Sequence, residues 1–284
     1  MRIGITSPIV TRFPGAHGDW EESADVADLA RIATTADSLG FNHLTCSEHV
    51  AVPVTIARHR GGTYWDPLAT LGFLAGRTER IKLATLVLVL GYHHPLEIAK
   101  RYGTLDSISA GRLILGLGVG SLRDEFELLS VPFADRGARA DDALAALRAA
   151  MSTNVPRYRG EFYEFSDLVV EPHAVQSHVP FWIGGRTARS LRRAIELGDG
   201  WVPFGLSPEE LETLLDQHEL PPGFDVVLSA GRLDPADDED GTRRAIDRLV
   251  QAGATTISAG FTASSASHYC DQLEKLAGLY DLAS

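Results

Sequence analysis

The chain has 284 residues, 44% of them hydrophobic, which is enough for a large core in one or two domains. Its formal net charge is −12 and no basic stripe compensates it, which argues against nucleic acids and anionic membranes as partners. The two cysteines lack metal-ligand spacing, the N-terminus lacks signal-peptide character, and no apolar run is long enough to span a membrane. We therefore expect a cytoplasmic protein whose partner is a small molecule.

Eight apolar segments with turn residues beyond them are predicted to be strands. They are residues 2–7, 43–47, 81–90, 113–119, 181–183, 200–203, 225–230 and 255–259. Amphipathic segments between them are predicted to be helices. The helical segments are residues 19–39, 67–77, 95 to near 111, 124–129, 141–151, 188–197, 207 onward, 242–252 and 264–279.

The local signals along the chain indicate where these elements begin. Asp19 and Glu22 suit a capping box for the first helix, and Asp66 followed by Pro67 suits the start of the second. The loop over residues 50–65 is longer than a connection requires, so it is interpreted as a lid or substrate loop. The segment over residues 156–165 has the pattern of a β-hairpin with a glycine turn.

Alternating strands and helices predict a parallel sheet. Eight such units favour a closed (β/α)8 TIM barrel over an open doubly wound sheet. We expect a single barrel domain over residues 1–284, with a short inserted β-hairpin segment around residues 152–180.

In such a barrel the active site lies at the C-terminal ends of the strands. Glu48 and His49, which follow the second strand, are the one obvious acid–base pair there. A histidine that merely donates to a backbone carbonyl is the structural alternative. The ends of the strands carry no Ser-His-Asp, HExxH or paired-carboxylate pattern, so a cofactor is expected to supply the chemistry. Tyr92-His93-His94 is not favoured as a metal site, because adjacent strand residues point to opposite faces.

Two glycine-rich turns follow predicted strands. Gly184-Gly185-Arg186-Thr187 precedes a helix, so its free N–H groups could bind a phosphate, and an ordinary turn that requires glycine is the alternative. Gly116-Leu-Gly118-Val-Gly120 could admit a ligand close to the backbone or could serve packing alone.

Taken together, nine motifs resemble those of the bacterial luciferase-like family, and most closely its branch of coenzyme F420 (deazaflavin)-dependent oxidoreductases. The resemblance covers about residues 1 to 205. Its segments are SEH at 47–49, DPL at 66–68, RTERIKLATLVLVL at 77–90, HPLEIAK at 94–100, TLDSISAGRLILGLGVG at 104–120, RG at 136–137, GEFYEF at 160–165, PFWIGG at 180–185 and GDGWVP at 198–203.

The resemblance implies a TIM barrel that binds F420, or alternatively FMN, at the strand ends. It implies a cis peptide bond between Leu86 and Val87 at a bulge behind the ring, and His49 with Glu48 near the reactive carbon. The cofactor-binding residues implied are Thr85, Leu86 and Val87 behind the ring, Gly118, Val119, Gly120 and Ser121 along the ring and ribityl chain, and Gly184, Gly185, Arg186 and Thr187 at the phosphate.

The activity implied is hydride transfer between reduced F420 and a small organic substrate. An FMN-dependent monooxygenase and a non-catalytic cofactor-binding relative are the alternatives. Ser121 stands where the sugar-phosphate dehydrogenase branch has a glutamate, and Pro53 stands where that branch has a tryptophan. The sequence therefore does not indicate a sugar-phosphate substrate. A homodimer is expected from the resemblance alone.

Overall fold

A computed structural model, which describes residues 1–282, contains a closed barrel of eight parallel strands. The barrel strands, in their order around it, are β1 Arg2–Ile5, β2 His43–Cys46, β3 Lys82–Val89, β4 Leu113–Gly118, β7 Phe181–Gly184, β8 Gly200–Val202, β9 Asp225–Leu233 and β10 Thr256–Phe261. Pairing of β1 with β10 closes the barrel. The predicted (β/α)8 barrel is confirmed.

Ten α-helices are present within residues 1–282, and most of them cover the outside of the barrel. They are α1 Val26–Ser38, α2 Val54–Arg60, α3 Pro67–Ala75, α4 Pro95–Ile108, α5 Arg123–Leu128, α6 Arg136–Ala150, α7 Ala188–Leu197, α8 Pro208–Leu215, α9 Glu239–Gln251 and α10 Ala266–Tyr280. No helix in this part of the chain combines the length and the apolar character needed to cross a membrane.

The hairpin predicted between β4 and the fifth barrel strand is also confirmed. Strands β5 (Tyr158–Arg159) and β6 (Glu164–Phe165) pair antiparallel outside the barrel. Asp142 on α6 holds the turn, because its carboxylate accepts from the backbone N–H groups of Phe162 and Tyr163 at 2.7 and 3.0 Å.

The first helix begins later than its sequence pattern predicts. Residues Asp19–Glu22 form a separate 3-10 turn, and the expected capping box between Asp19 and Glu22 is wrong. Glu21 instead accepts from the N–H of Gly18 at 2.7 Å, and Asp25 caps α1 by accepting from two of its first N–H groups. Asp66 does cap α3 as predicted, since it accepts from Ala69 N at 2.7 Å.

The interior of the barrel is filled by side chains rather than left as a channel. Ala84, Ile114, Trp182 and Val227 form a buried layer there, with Leu86 and Val202 partly buried against it. Because Leu86 and Val202 lie near the C-terminal ends of β3 and β8, they form part of the floor of the mouth at that end.

Candidate active site

The end of β3 is irregular where the resemblance places a cofactor ring. The pairing of β3 with β4 shifts between Thr85 and Leu88, and the Leu86–Val87 peptide bond is cis, as the resemblance implies. Residues that follow β2 bind both carbonyls of this bulge. Ser47 Oγ donates to Leu86 O at 2.8 Å, and Glu48 N donates to Val87 O at 3.3 Å.

The glycines around this bulge have a packing role of their own. A Cβ on Gly118 would lie 2.7 Å from Val87 Cγ2, and a Cβ on Gly184 would lie 2.9 Å from Val87 Cγ1. Both glycines therefore make room for Val87. Thr85 is fully buried and its hydroxyl donates to Gly116 O at 2.8 Å, so Thr85 supports the bulge from behind.

His49 is bound by a buried carboxylate from another part of the chain. Its Nδ1 lies 2.7 Å from Glu125 Oε2, and Glu125 on α5 has no exposed surface. Tyr92 donates its hydroxyl to the same oxygen at 2.7 Å, and the N–H groups of Val50 and Ala51 donate to the other. Four donors thus converge on one carboxylate.

These donors keep Glu125 ionised. Burial by itself would raise the pKa of the Glu125 carboxyl, but the hydrogen bonds from His49 and Tyr92 outweigh it and hold that pKa below its usual range. An ionised carboxylate only accepts hydrogen bonds, so Nδ1 of His49 carries a hydrogen. Nε2 is then the ring atom that can exchange a proton with a ligand.

Glu48 and His49 do not form one acid–base pair, which corrects the interpretation from sequence. Glu48 is buried, its Oε1 lies 2.6 Å from His93 Nε2, and its Oε2 accepts from Val89 N at 2.6 Å. His49 binds Glu125 instead. The physical reason is that adjacent residues of extended backbone point in opposite directions. Glu48 therefore joins the end of β2 to the end of β3 and the segment after it, whereas His49 is hydrogen-bonded to Glu125.

The loop over residues 50–65 covers His49 and is more ordered than predicted. It contains α2, which the sequence reading took as loop, and it is tied to the β1–α1 connection by Trp65 N to Val10 O at 2.9 Å. Tyr64 packs edge-on against the His49 ring with centroids 4.5 Å apart. Arg60 Nη1 donates to Ser121 Oγ at 3.3 Å, which connects the loop to the residues after β4.

The glycine turn after β7 leads directly into α7. Thr187 is the N-cap, since its hydroxyl oxygen accepts from Ser190 N at 3.2 Å. Gly185 lies at φ 154°, where a Cβ would collide with Ser190. Within the described chain the N–H groups of Ala188 and Arg189 have no acceptor, as is usual at a helix start. The side chain of Arg186 is exposed beside them.

The structure brings the predicted residues to one end of the barrel. Thr85, Leu86 and Val87 lie at the end of β3, Gly118 to Ser121 at the end of β4, and Gly184 to Thr187 at the end of β7. Sequence reasoning missed Glu125, and it weighed Tyr92 only as part of a metal site. Arg60 and Tyr64 belong to the loop that it interpreted as a lid or substrate loop, but neither was singled out. Among residues 1–282 no three His, Cys, Asp or Glu side chains are grouped as a metal site.

These residues fit a flavin or deazaflavin. Leu86, Val87 and Val119 are partly buried apolar side chains that can face a flat ring. The free N–H groups at the start of α7 and the nearby Arg186 are the donors that a phosphate requires. His49, which follows β2, has a ring nitrogen that is chemically able to exchange a proton with a ligand.

Comparison with known proteins agrees with the fold and identifies the family. A family model described as luciferase-like monooxygenase matches residues 1–266. An uncharacterized protein of Mycobacterium tuberculosis is 29% identical over 265 residues, which cover 87% of this chain and 92% of that protein. The F420-dependent glucose-6-phosphate dehydrogenase of Microbacterium testaceum is 30% identical over 228 residues, which cover 79% of this chain and 62% of that protein. The fold of the monooxygenase RslO1 from Streptomyces bottropensis matches with a TM-score of 0.80 at 24% identity, covering 98% of both chains.

Proposed function

The chain belongs to the luciferase-like monooxygenase family, and from this premise we propose that it is an oxidoreductase that transfers a hydride between reduced F420 and a small organic substrate. The observation that carries the proposal is the pair formed by His49 and the buried Glu125, 2.7 Å apart. Hydride transfer to a polar double bond leaves a negative charge that a proton must neutralise. A histidine held in one tautomer beside the candidate ring site is suited to deliver that proton.

The deazaflavin, when bound, supplies the hydride. The residues of the chain bind, orient and exchange a proton. Glu125 fixes the hydrogen on Nδ1 of His49, so that Nε2 gives or takes the proton. A positioned acid or base of this kind contributes roughly 10²- to 10⁴-fold to a rate.

The remaining residues position the cofactor in this proposal. Leu86 and Val87 back the ring, and Val119 with Gly120 lies along it. Arg186 and the first N–H groups of α7 bind the phosphate. Thr187 keeps its hydroxyl hydrogen for the phosphate, because its oxygen is the atom that caps the helix.

A reduced-flavin monooxygenase is the second candidate, and the description of the matching family favours it. The same bulge and the same anion site would serve FMN, since both cofactors combine a flat ring with a phosphate. The similarity to an F420-dependent dehydrogenase over 228 residues supports the first candidate.

Turnover under controlled oxygen separates the two candidates. The purified protein is mixed anaerobically with reduced F420 and a panel of small carbonyl compounds and imines, and oxidation of F420 is followed by its absorbance. A parallel assay supplies reduced FMN and measures oxygen uptake. The proposal expects F420 oxidation that needs no oxygen. Oxygen uptake with FMN that exceeds the uptake of reduced FMN without the protein, and no F420 oxidation, would support the monooxygenase instead.

A further inference from the structure

A cavity of about 130 Å³ lies beside the candidate cofactor site, between the ends of β1, β2 and β10. Ser47, whose hydroxyl binds the carbonyl of Leu86, is part of its wall, so the cavity adjoins the bulge. Aromatic side chains, among them Phe261 and Tyr269, line another part of it. None of the residues assigned above to the ring or phosphate lines this cavity.

Two hydroxyl groups in the cavity wall lack a hydrogen-bond partner within the described residues. They belong to Ser7, which is only 4% exposed, and to Thr11. A buried hydroxyl without a partner destabilises a fold, so such groups mark places where a ligand or water completes the bonding. Both hydroxyl oxygens are themselves covered, and rotation about the Cα–Cβ bond to another staggered position is what turns them toward the cavity.

The charged groups of the cavity are already used by the protein. Glu21 accepts from Ile9 N and Gly18 N, each at 2.7 Å. Arg232 donates to two backbone carbonyls, at 3.3 and 3.1 Å. The charges of Glu21 and Arg232 cancel. The cavity therefore offers no net charge that would attract a charged ligand. The unused groups are neutral hydroxyls, which match a carbonyl or hydroxyl oxygen.

We propose that this cavity is the substrate subsite of the protein, and that it takes a small uncharged molecule with one carbonyl or hydroxyl oxygen. Ser7 and Thr11 bind that oxygen, and the aromatic wall covers the apolar part. An apolar cavity of about 150 Å³ in another protein holds benzene, which sets the apolar part at about six non-hydrogen atoms. This inference rests on the proposed function, because it names the substrate class of that reaction.

Binding of cyclopentanone to the protein without cofactor tests the subsite, with ligand-observed NMR as the readout. We expect a Kd of about millimolar or tighter for this probe, and weaker binding of cyclopentanecarboxylate and cyclopentylammonium. Ser7→Ala and Thr11→Val should each weaken the binding of cyclopentanone by about 3- to 10-fold, because each removes one hydrogen bond. Ala16→Phe, which fills the cavity from an exposed position, should abolish the binding.

Thr242→Val is the matched control, since Thr242 also carries a buried hydroxyl without a partner but does not line the cavity. Its affinity for cyclopentanone should equal that of the unchanged protein. Absence of cyclopentanone binding, tighter binding of a charged ring, or equal binding by Ala16→Phe would overturn the inference. Titration of F420 and FMN on the same samples separates the two proposals. If only the subsite proposal is wrong, the cofactor still binds and cyclopentanone does not. If only the proposed cofactor is wrong, cyclopentanone still binds.

Discussion

His49 Nδ1 lies 2.7 Å from Oε2 of Glu125, a fully buried carboxylate 76 positions further along the chain. This contact joins the end of β2 to α5 and holds one tautomer of the histidine. Glu125 acts through His49, so it is a positioning residue in the proposed reaction.

Glu125→Gln should lower kcat by about 10²-fold, because an amide no longer fixes the hydrogen on Nδ1 of His49. His49→Ala should reduce kcat at least as much, and the double variant should lose little more, because groups that act as a unit are not additive. Cofactor affinity should change little in all three.

Glu127→Gln is the control for this pair, because Glu127 lies on the same helix but is exposed. Its kcat should match that of the unchanged protein. Strict additivity of the two substitutions in kcat would show that Glu125 and His49 do not work together.

Gly118→Ala should destabilise the protein by about 1–3 kcal/mol, because its Cβ would lie 2.7 Å from Val87 Cγ2. In a Val87→Ala background the same change should cost less than about 1 kcal/mol, since the colliding methyl group is gone. Urea unfolding measures both free energies.

Gly72→Ala on α3 is the control. Nothing lies within 4 Å of its added Cβ, and it should stabilise by about 0.5–1 kcal/mol. An equal cost of Gly118→Ala in both backgrounds would contradict the role given to Val87.

Arg186→Ala should weaken cofactor binding by roughly 10-fold, because a charge-assisted hydrogen bond to the phosphate is lost. The difference should shrink as salt is added, since Arg186 is exposed. Arg192→Ala on the same helix is the matched control, because Arg192 is exposed but lies a full turn beyond the helix start. If both variants bind the cofactor equally, the glycine turn after β7 is an ordinary turn.

The His93–Glu48 contact should make stability depend on pH. Burial alone would lower the pKa of His93, but the hydrogen bond and the charge of Glu48 outweigh it and raise that pKa above its usual value. Because the pKa of His93 is higher in the folded state than in the unfolded state, protonation of His93 stabilises the fold. This contribution is complete below about pH 6.5, the pKa of an unperturbed histidine, and it is lost as pH rises through the folded-state pKa. His93→Gln should therefore lower the free energy of unfolding more at pH 5.5 than at pH 9.

His59→Gln serves as the control, since His59 is exposed on α2. Its effect on the free energy of unfolding should be small at both pH values. A larger loss for His93→Gln at pH 9 than at pH 5.5 would reverse the sign and contradict the role given to Glu48.

The barrel was predictable because strand and helix signals are local. Apolar runs such as Ile81 to Leu90, and starts such as Asp66-Pro67, depend only on nearby residues. The boundaries were less predictable where caps compete. Asp19 and Glu22 have capping-box spacing, but Asp25 is the residue that caps α1. Glu21, which lies between Asp19 and Asp25, accepts from Gly18 N in the preceding loop instead.

The partner of His49 could not be predicted, because pairs between distant positions leave no local pattern. Glu48 is adjacent to His49 in sequence, yet its carboxylate points to His93 and Val89 N. Glu125 is the partner, and only the folded barrel brings it to His49. The short helix α2 was missed for a related reason. It has only seven residues, too few for local propensity alone to stabilise it, and the segment that follows it pairs with the β1–α1 connection.

A titration of the purified protein with F420 and FMN side by side, each oxidised and reduced, tests the proposed cofactor most directly. Intrinsic fluorescence reports binding, because the partly buried Trp65 and Tyr64 belong to the loop that covers the site. We predict a Kd for F420 that is micromolar or tighter, and at least about 10-fold below the Kd for FMN. Tighter binding of FMN than of F420 would contradict the F420-dependent function.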